Sequence, residues 1–160
     1  MRTAHVIAHS APLTGREEEE AVLRVLRSGR LAQGPEVAAF EAECAAVAGR
    51  RFGVAVSSGT AALHLALNAL DVPHGEDVVI PAYACASLLT AVALHGATAC
   101  ICDVRDDFNL DPRVVPRGVG YAIVPHLFGK RAALPEHPVI IEDIAQSLGG
   151  SGGRAGIAAI

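Results

Sequence analysis

The rest of this chain is arranged around the stretch Pro138-Val139-Ile140-Ile141-Glu142-Asp143-Ile144-Ala145-Gln146-Ser147. Its apolar run, residues 139–141, is typical of a strand that is buried on both faces of a parallel sheet. Two carboxylates follow directly, and in open α/β folds ligands bind at the carboxyl ends of the strands. A carboxylate buried there is costly unless a cation or a hydrogen-bond donor meets it. The alternative is that Asp143 only caps a helix.

Composition narrows the class of protein. A chain of 160 residues has the size of one domain, and 51% of its residues are apolar, with two Tyr, four Phe and no Trp. This usage favours helices and parallel strands over a β-sandwich. The net charge of −4 comes without a basic stripe, which argues against nucleic-acid binding. We expect a cytoplasmic protein outside the membrane, since the sequence shows neither a signal peptide nor an apolar run of membrane-spanning length.

The four cysteines lack the spacing of a metal site. Cys100 and Cys102 are two residues apart on a predicted strand, so they share one face of it. Small buried hydrophobes are the expected role of these side chains, and we expect the thiols to be reduced and no metal to be bound.

The leading part of the chain predicts an extended arm and two helices. A capping box formed by Thr14 and Glu17 begins the first helix, and Gly29 ends it. Pro35 suits the first turn of the second helix, which Gly49 ends. The predicted domains are therefore residues 1–50, the arm and two helices, and residues 51–160, an incomplete α/β domain.

The remainder of the chain alternates strands with helices or loops. Besides residues 139–141, the predicted strands are 52–57, 77–80, 98–104 and 120–124. One predicted helix follows Ser58, and another spans residues 83–94. The crossover 130–137 allows a turn or two of helix at most. The apolar end, residues 157–160, has no evident partner. The pattern predicts an α/β fold with a largely parallel sheet and helices on both faces.

The turn Ser57-Ser58-Gly59-Thr60-Ala61-Ala62-Leu63 joins a predicted strand to a helix. Its backbone N–H groups lie at the positive end of the helix macrodipole, which is a ready site for an anion such as phosphate. The alternative is ordinary helix capping by Ser58, because the turn lacks a full P-loop or dinucleotide pattern.

Three segments together resemble one family. They are Ser57-Ser58-Gly59-Thr60-Ala61-Ala62-Leu63-His64-Leu65-Ala66-Leu67, Ile80-Pro81-Ala82-Tyr83 and Ile141-Glu142-Asp143-Ile144-Ala145-Gln146. The runs Arg27-Ser28-Gly29-Arg30-Leu31-Ala32-Gln33-Gly34-Pro35 and Asn109-Leu110-Asp111-Pro112 fit as well. The chain thus resembles the DegT-type (DegT/DnrJ/StrS) sugar aminotransferases, which use pyridoxal 5′-phosphate (PLP) and have the aspartate aminotransferase fold.

The resemblance implies a role for particular residues. The cofactor phosphate would meet Gly59, Thr60 and Ala61, and Asp143 would pair with the pyridine nitrogen. An amide near the phenolic oxygen falls on Gln146. The position that usually stacks an aromatic ring on the pyridine falls on Cys85.

Two further residues are candidates for binding substrate. Tyr83 lies near Cys85 in the sequence and could replace the stacked ring. His126 follows a predicted strand, at the same sheet edge as Asp143, although a lone histidine is more often structural.

The resemblance also implies what this sequence does not contain. Lys130 is the only lysine, and it falls on a loop position of the family, so the Schiff-base lysine is expected beyond the chain end and no catalytic residue is assigned. The chain is expected to be the N-terminal portion of an aminotransferase, either truncated or a fragment. The implied parent is a homodimer that moves an amino group from glutamate to a nucleotide-linked keto-sugar.

Two other functions stay open at this point. The chain could be a noncatalytic remnant, a module that binds PLP or phosphate without turnover. A dinucleotide-binding domain is disfavoured because no glycine fingerprint follows the first strand. An isolated half of a dimeric enzyme would expose apolar surface, so we expect self-association.

Overall fold

The computed structural model describes residues 10–149 and 157–159. The chain divides into two compact units, Met1–Ala39 and Phe40–Ile160. This division into units does not test the domain boundary that the sequence predicts at residue 50, which stays a prediction.

Two helices lead the chain, α1 (Arg16–Ser28) and α2 (Pro35–Val47). The start of α1 differs from the predicted capping box by one residue. Gly15 is the N-cap, and its N–H donates to Glu18 Oε2 at 2.7 Å. The acidic run of residues 17–20 offers several carboxylates to the first turn, which is why the sequence did not fix the partner. Gly29 ends α1 in the left-handed conformation at φ 69°, as predicted.

A five-stranded parallel sheet forms the second unit. Its strands are β1 (Asp77–Pro81), β2 (Thr98–Cys102), β3 (Tyr121–Pro125), β4 (Val139–Asp143) and β5 (Ile157–Ala159). They lie in the order β2-β1-β3-β4-β5. The chain leaves β1 toward one edge and returns at β3 toward the other, so the order reverses between β1 and β3. Such a reversal opens a crevice at the carboxyl ends of the strands.

The two faces of the sheet are covered differently. Helices α3 (Gly59–Ala69) and α4 (Ser87–His95) share one core with the strands, built from buried Leu, Val and Ile side chains such as Leu67, Leu88 and Ile123. The opposite core holds Val79, Leu110, Ala132 and others, which come from the strands and from irregular segments. The irregular segments include two short 3₁₀ turns, Pro112–Val114 and Leu127–Gly129.

Residues 52–57 are not a strand, in contrast to the prediction. Their inner side lies on α2, where Ala55 N–H donates to Glu41 Oε1 at 2.8 Å. A Cβ on Gly53 would overlap the backbone oxygen of Glu41. Their outer side carries Phe52 and Val54, which are 74% and 78% exposed. Alternating apolar residues predict a strand, but no described segment pairs with this one.

Two other predictions need correction. Helix α4 begins at Ser87 rather than at residue 83, because residues 82–86 form a turn after β1. The end of the chain does find a partner, since Ile157–Ala159 pairs with β4 in parallel. Both depend on contacts between distant parts of the chain. The crossover 130–137 contains no helix, which is within the predicted limit of a turn or two.

Candidate functional site

A pocket of about 240 Å³ opens at the carboxyl edge of the sheet. Its wall comes from the start of α3, the turn before α4 and the segments that follow β3 and β4. Five of the sequence-predicted residues lie around it: Gly59, Cys85, His126, Asp143 and Gln146. Thr60 is the next residue of α3, whereas Ala61 and Tyr83 are not part of the lining.

The start of α3 presents free backbone donors. Within the described residues, the N–H groups of Gly59 and Thr60 have no hydrogen-bond acceptor. A Cβ on Gly59 would meet nothing within 4 Å, so a ligand can approach this backbone closely. The N–H of Ala61, also predicted to bind phosphate, donates to the Ser58 hydroxyl at 3.2 Å. Of the two alternatives that the sequence left open, capping by Ser58 therefore occupies only the Ala61 N–H, and the N–H groups of Gly59 and Thr60 remain available to an anion.

Asp143 is the last residue of β4 and is half-buried. Burial raises the pKa of its carboxyl above the ordinary value, and the hydrogen bond from the Ala145 N–H partly offsets this. The Ala145 N–H donates to Oδ1 at 3.1 Å. A half-buried carboxylate with a single neutral donor is well suited to a cationic partner in the pocket.

The amide of Gln146 has a defined orientation. Its Oε1 accepts the N–H of Phe128 at 3.0 Å, and its backbone oxygen accepts the N–H of Gly129 at 3.1 Å. Because a backbone N–H can only donate, the oxygen must face Phe128 and the NH₂ group remains available to donate. That group suits an oxyanion on a ligand.

Cys85 and Tyr83 differ in their surroundings. The exposed Cys85 thiol lines the pocket, and a hydrogen bond with the Ser87 side chain lowers its pKa. Tyr83 instead packs with Phe108 and Phe128, at centroid distances of 5.0 and 6.4 Å. Its predicted contact with substrate stays a prediction, at a position beside the pocket lining.

His126 is held by a buried chain of contacts that the sequence did not reveal. The ring is 0% exposed; its Nε2 lies 2.8 Å from Glu142 Oε2, and its Nδ1 accepts the Ala132 N–H at 3.2 Å. Glu142 is also 0% exposed, and its Oε1 accepts from Arg50 at 3.3 Å. Both ring nitrogens of His126 are therefore engaged, and a substrate contact through either would break an existing hydrogen bond.

One signal could have pointed to Glu142. Side chains alternate along a strand, so Glu142 and Asp143 must point to opposite faces, and a buried carboxylate requires a cation. The sequence contains twelve arginines and does not indicate which of them pairs with Glu142. In the structure it is Arg50, which is 92 positions away.

Metal binding and membrane insertion find no support in the described residues. No group of three His, Cys, Asp or Glu side chains there is arranged to hold a metal ion. None of the described helices has the length and apolar character needed to cross a bilayer.

Comparison with known proteins adds a family and several relatives. The model of the DegT/DnrJ/EryC1/StrS aminotransferase family matches residues 12–152. The spore coat polysaccharide biosynthesis protein SpsC of Bacillus subtilis is 39% identical over 131 residues, which are 78% of this chain and 33% of SpsC.

Solved structures share the fold. DesV of S. venezuelae, in complex with a ketimine intermediate, has a TM-score of 0.77 and 32% identity over 89% of this chain and 43% of its own. GDP-4-keto-6-deoxy-D-mannose-3-dehydratase of E. coli, with bound hydrated PLP, has a TM-score of 0.80 over 91% and 42%. At 20% identity, that second likeness shows the fold alone. The chain spans less than half the length of these proteins.

Proposed function

Because this chain belongs to the DegT/DnrJ/EryC1/StrS aminotransferase family, we propose that it forms the cofactor-binding portion of a PLP-dependent aminotransferase. The observation that carries this proposal is that Gly59, Cys85, Asp143 and Gln146 border the same pocket. The backbone N–H groups at the start of α3, which suit an anion, and the carboxylate of Asp143 thus border one small cavity.

The residues fit the chemical groups of PLP. The free N–H groups of Gly59 and Thr60 would hold the phosphate at the positive end of α3. Asp143 would accept a hydrogen bond from the protonated pyridine nitrogen. The NH₂ group of Gln146 would donate to the phenolic oxygen. Cys85 would lie against the ring with a small, polarisable surface.

The role of Asp143 is electrostatic. When bound, PLP supplies an electron sink for a carbanion formed next to the amino nitrogen. A carboxylate beside the ring nitrogen keeps that nitrogen protonated, and its half-buried setting makes the pairing stronger than it would be in water. Asp143 thereby maintains the charge state of the ring, whereas the amides at α3 only anchor the phosphate.

The substrate is the finer part of the proposal. SpsC is named for polysaccharide biosynthesis, which supports a sugar. We assign to the parent enzyme a nucleotide-linked keto-sugar as acceptor, glutamate as donor and a homodimeric state. Tyr83, beside the pocket, is the proposed substrate contact, while the engaged ring of His126 fits a positioning role better.

The test is binding of pyridoxine 5′-phosphate, which has no aldehyde and so cannot react with Lys130. We expect saturable binding to this chain. Asp143→Asn should weaken it by about tenfold or more, since a hydrogen bond to a charged group contributes roughly 1.5–3 kcal/mol. Asp77→Asn, at the exposed opposite end of β1, is the matched control and should change nothing. Absence of binding, or equal affinity in Asp143→Asn, would contradict the proposal.

A noncatalytic binding module is the second candidate. In this candidate, this chain binds PLP noncovalently, because Lys130, the only lysine in this sequence, is exposed and does not line the pocket. Lys130→Ala should leave the affinity for PLP unchanged. A marked loss of PLP affinity in this variant would instead give the lysine a direct role.

A further inference from the structure

We propose that Glu142 and His126 form a positioning pair, neutralised by Arg50, that holds the turn 127–132 so that Gln146 presents its NH₂ group to the pocket. This set of side chains is the Arg50/Glu142/His126 network. The inference rests on the proposed function and adds a role for residues that do not bind the cofactor.

The charges of the network are balanced. Glu142 is fully buried and Arg50 donates to it, so carboxylate and guanidinium compensate each other away from water. A buried ion pair of this kind contributes little net stability compared with apolar side chains of similar volume. The stability that this ion pair adds therefore does not explain its presence. We attribute its presence to the fixed direction that it gives to the hydrogen bonds of the network.

The direction of each hydrogen bond follows from the donor at Ala132. Its N–H can only donate, so Nδ1 of His126 must be the acceptor and the ring proton must be on Nε2. That proton points to Glu142 Oε2, 2.8 Å away. Glu142 thus selects one tautomer of a neutral ring, and that tautomer offers its acceptor to the turn.

The turn needs such support because its backbone is strained. Phe128 has φ 56°, a left-handed conformation that is unfavourable for an aromatic residue. Leu127 N–H donates to the Asn109 side chain at 3.0 Å, and Ala132 N–H donates to His126. These two hydrogen bonds flank Phe128, whose own N–H fixes the amide of Gln146. If the turn relaxed, Gln146 would lose the contact that orients it.

Two substitutions at His126 separate the hydrogen bond made by Nδ1 from the one made by Nε2. Asn can retain an acceptor for the Ala132 N–H, and Gln can retain a donor for Glu142. We expect His126→Asn to keep the affinity for pyridoxine 5′-phosphate within about threefold of the original chain. His126→Gln should weaken it by about tenfold, because the support of the turn is lost.

A double-mutant cycle with Gln146→Ala shows whether His126 acts through Gln146. The proposal predicts that His126→Gln has almost no further effect on affinity in the Gln146→Ala background. Additive losses would overturn it, because a residue that only stabilises the fold would act equally in both backgrounds.

Tautomer measurement needs neither cofactor nor variants. Nitrogen NMR of the ¹⁵N-histidine-labelled chain should show His126 with its proton on Nε2. A proton on Nδ1 would overturn the inference even if the variants fail to fold. Failure of the proposed function would appear differently, as absence of pyridoxine 5′-phosphate binding with the Nε2 tautomer intact.

Discussion

At the scale of single residues, Asp143 faces opposite demands from folding and from ligand binding. Burial raises the pKa of its carboxyl, so the charged form is less favourable in the folded chain than in the unfolded chain. The unliganded protein therefore loses stability as pH rises from the ordinary Asp value toward and past the raised pKa. At neutral pH the charge is a cost that a cationic ligand would offset.

Asp143→Asn should accordingly stabilise the unliganded chain at pH 7. The gain should shrink as pH falls and disappear below about pH 4, the ordinary range of an Asp carboxyl, where both folded and unfolded states are protonated. Urea unfolding at the two pH values measures this. A variant that is less stable than the original chain at pH 7 would contradict it.

Ser58 allows a second test at the residue scale, because its hydroxyl occupies the N–H of Ala61. Ser58→Ala should destabilise the unliganded chain by about 1 kcal/mol, the usual cost of losing an N-cap. With pyridoxine 5′-phosphate bound, the cost should be smaller, since the phosphate can accept from the freed N–H.

Ser28→Ala serves as the control for Ser58. Ser28 bonds to Val25 and Arg30 near the end of α1, so its cost should be the same with and without ligand. An equal cost for Ser58→Ala in both conditions would mean that the phosphate does not reach the start of α3.

The sequence predicted those residues of the candidate site that lie directly at the end of a strand or the start of a helix. Asp143 and the turn at Gly59 stand next to apolar runs, and those runs place them at one edge of a parallel sheet. The partners of Glu142 were not predictable, because Arg50 and His126 reach it only through the folded arrangement of distant segments. The orientation of Gln146 likewise depends on a strained turn at Phe128 that has no sequence signature.

At the scale of elements, the segment 52–57 shows how packing on one side defines a conformation without a sheet. Gly53 lies so close to the backbone of Glu41 that a methyl group does not fit. Gly53→Ala should destabilise the chain by about 1–3 kcal/mol, as expected for overpacking against backbone. Gly118→Ala is the control, because a Cβ there would meet nothing within 4 Å. Equal stability of both variants in thermal unfolding would contradict this packing.

The strands were predicted more reliably than the segments between them. Apolar runs identified β1 to β4, and the α/β fold class with a parallel sheet is confirmed. The prediction for 52–57 was wrong because alternation indicates a strand but not whether a neighbour pairs with it. The pairing of Ile157–Ala159 was missed for the converse reason, since a short apolar end carries no register information.

At the scale of the whole molecule, exposed apolar side chains are the main feature without a local explanation. Phe52 and Val54 are two such side chains on the open side of one extended segment, and the Arg51 guanidinium lies 4.7 Å from the centroid of the Phe52 ring. We expect these apolar side chains to contact a second copy of the chain. The chain alone should therefore self-associate and sediment faster than a monomer of 16.5 kDa. Val54→Ser should reduce the association, whereas Leu13→Ser, at an isolated exposed position, should not. A monodisperse monomer of the original chain would contradict the prediction.

We expect a single small molecule to join the start of α3 to Asp143. Amide NMR of the ¹⁵N-labelled chain during addition of pyridoxine 5′-phosphate can detect this. The signals of Gly59 and Thr60 and those of Asp143 and Ala145 should shift together, with one common dissociation constant, while inorganic phosphate should shift only the first pair. Separate dissociation constants for the two pairs, or a response of only one pair to pyridoxine 5′-phosphate, would contradict it.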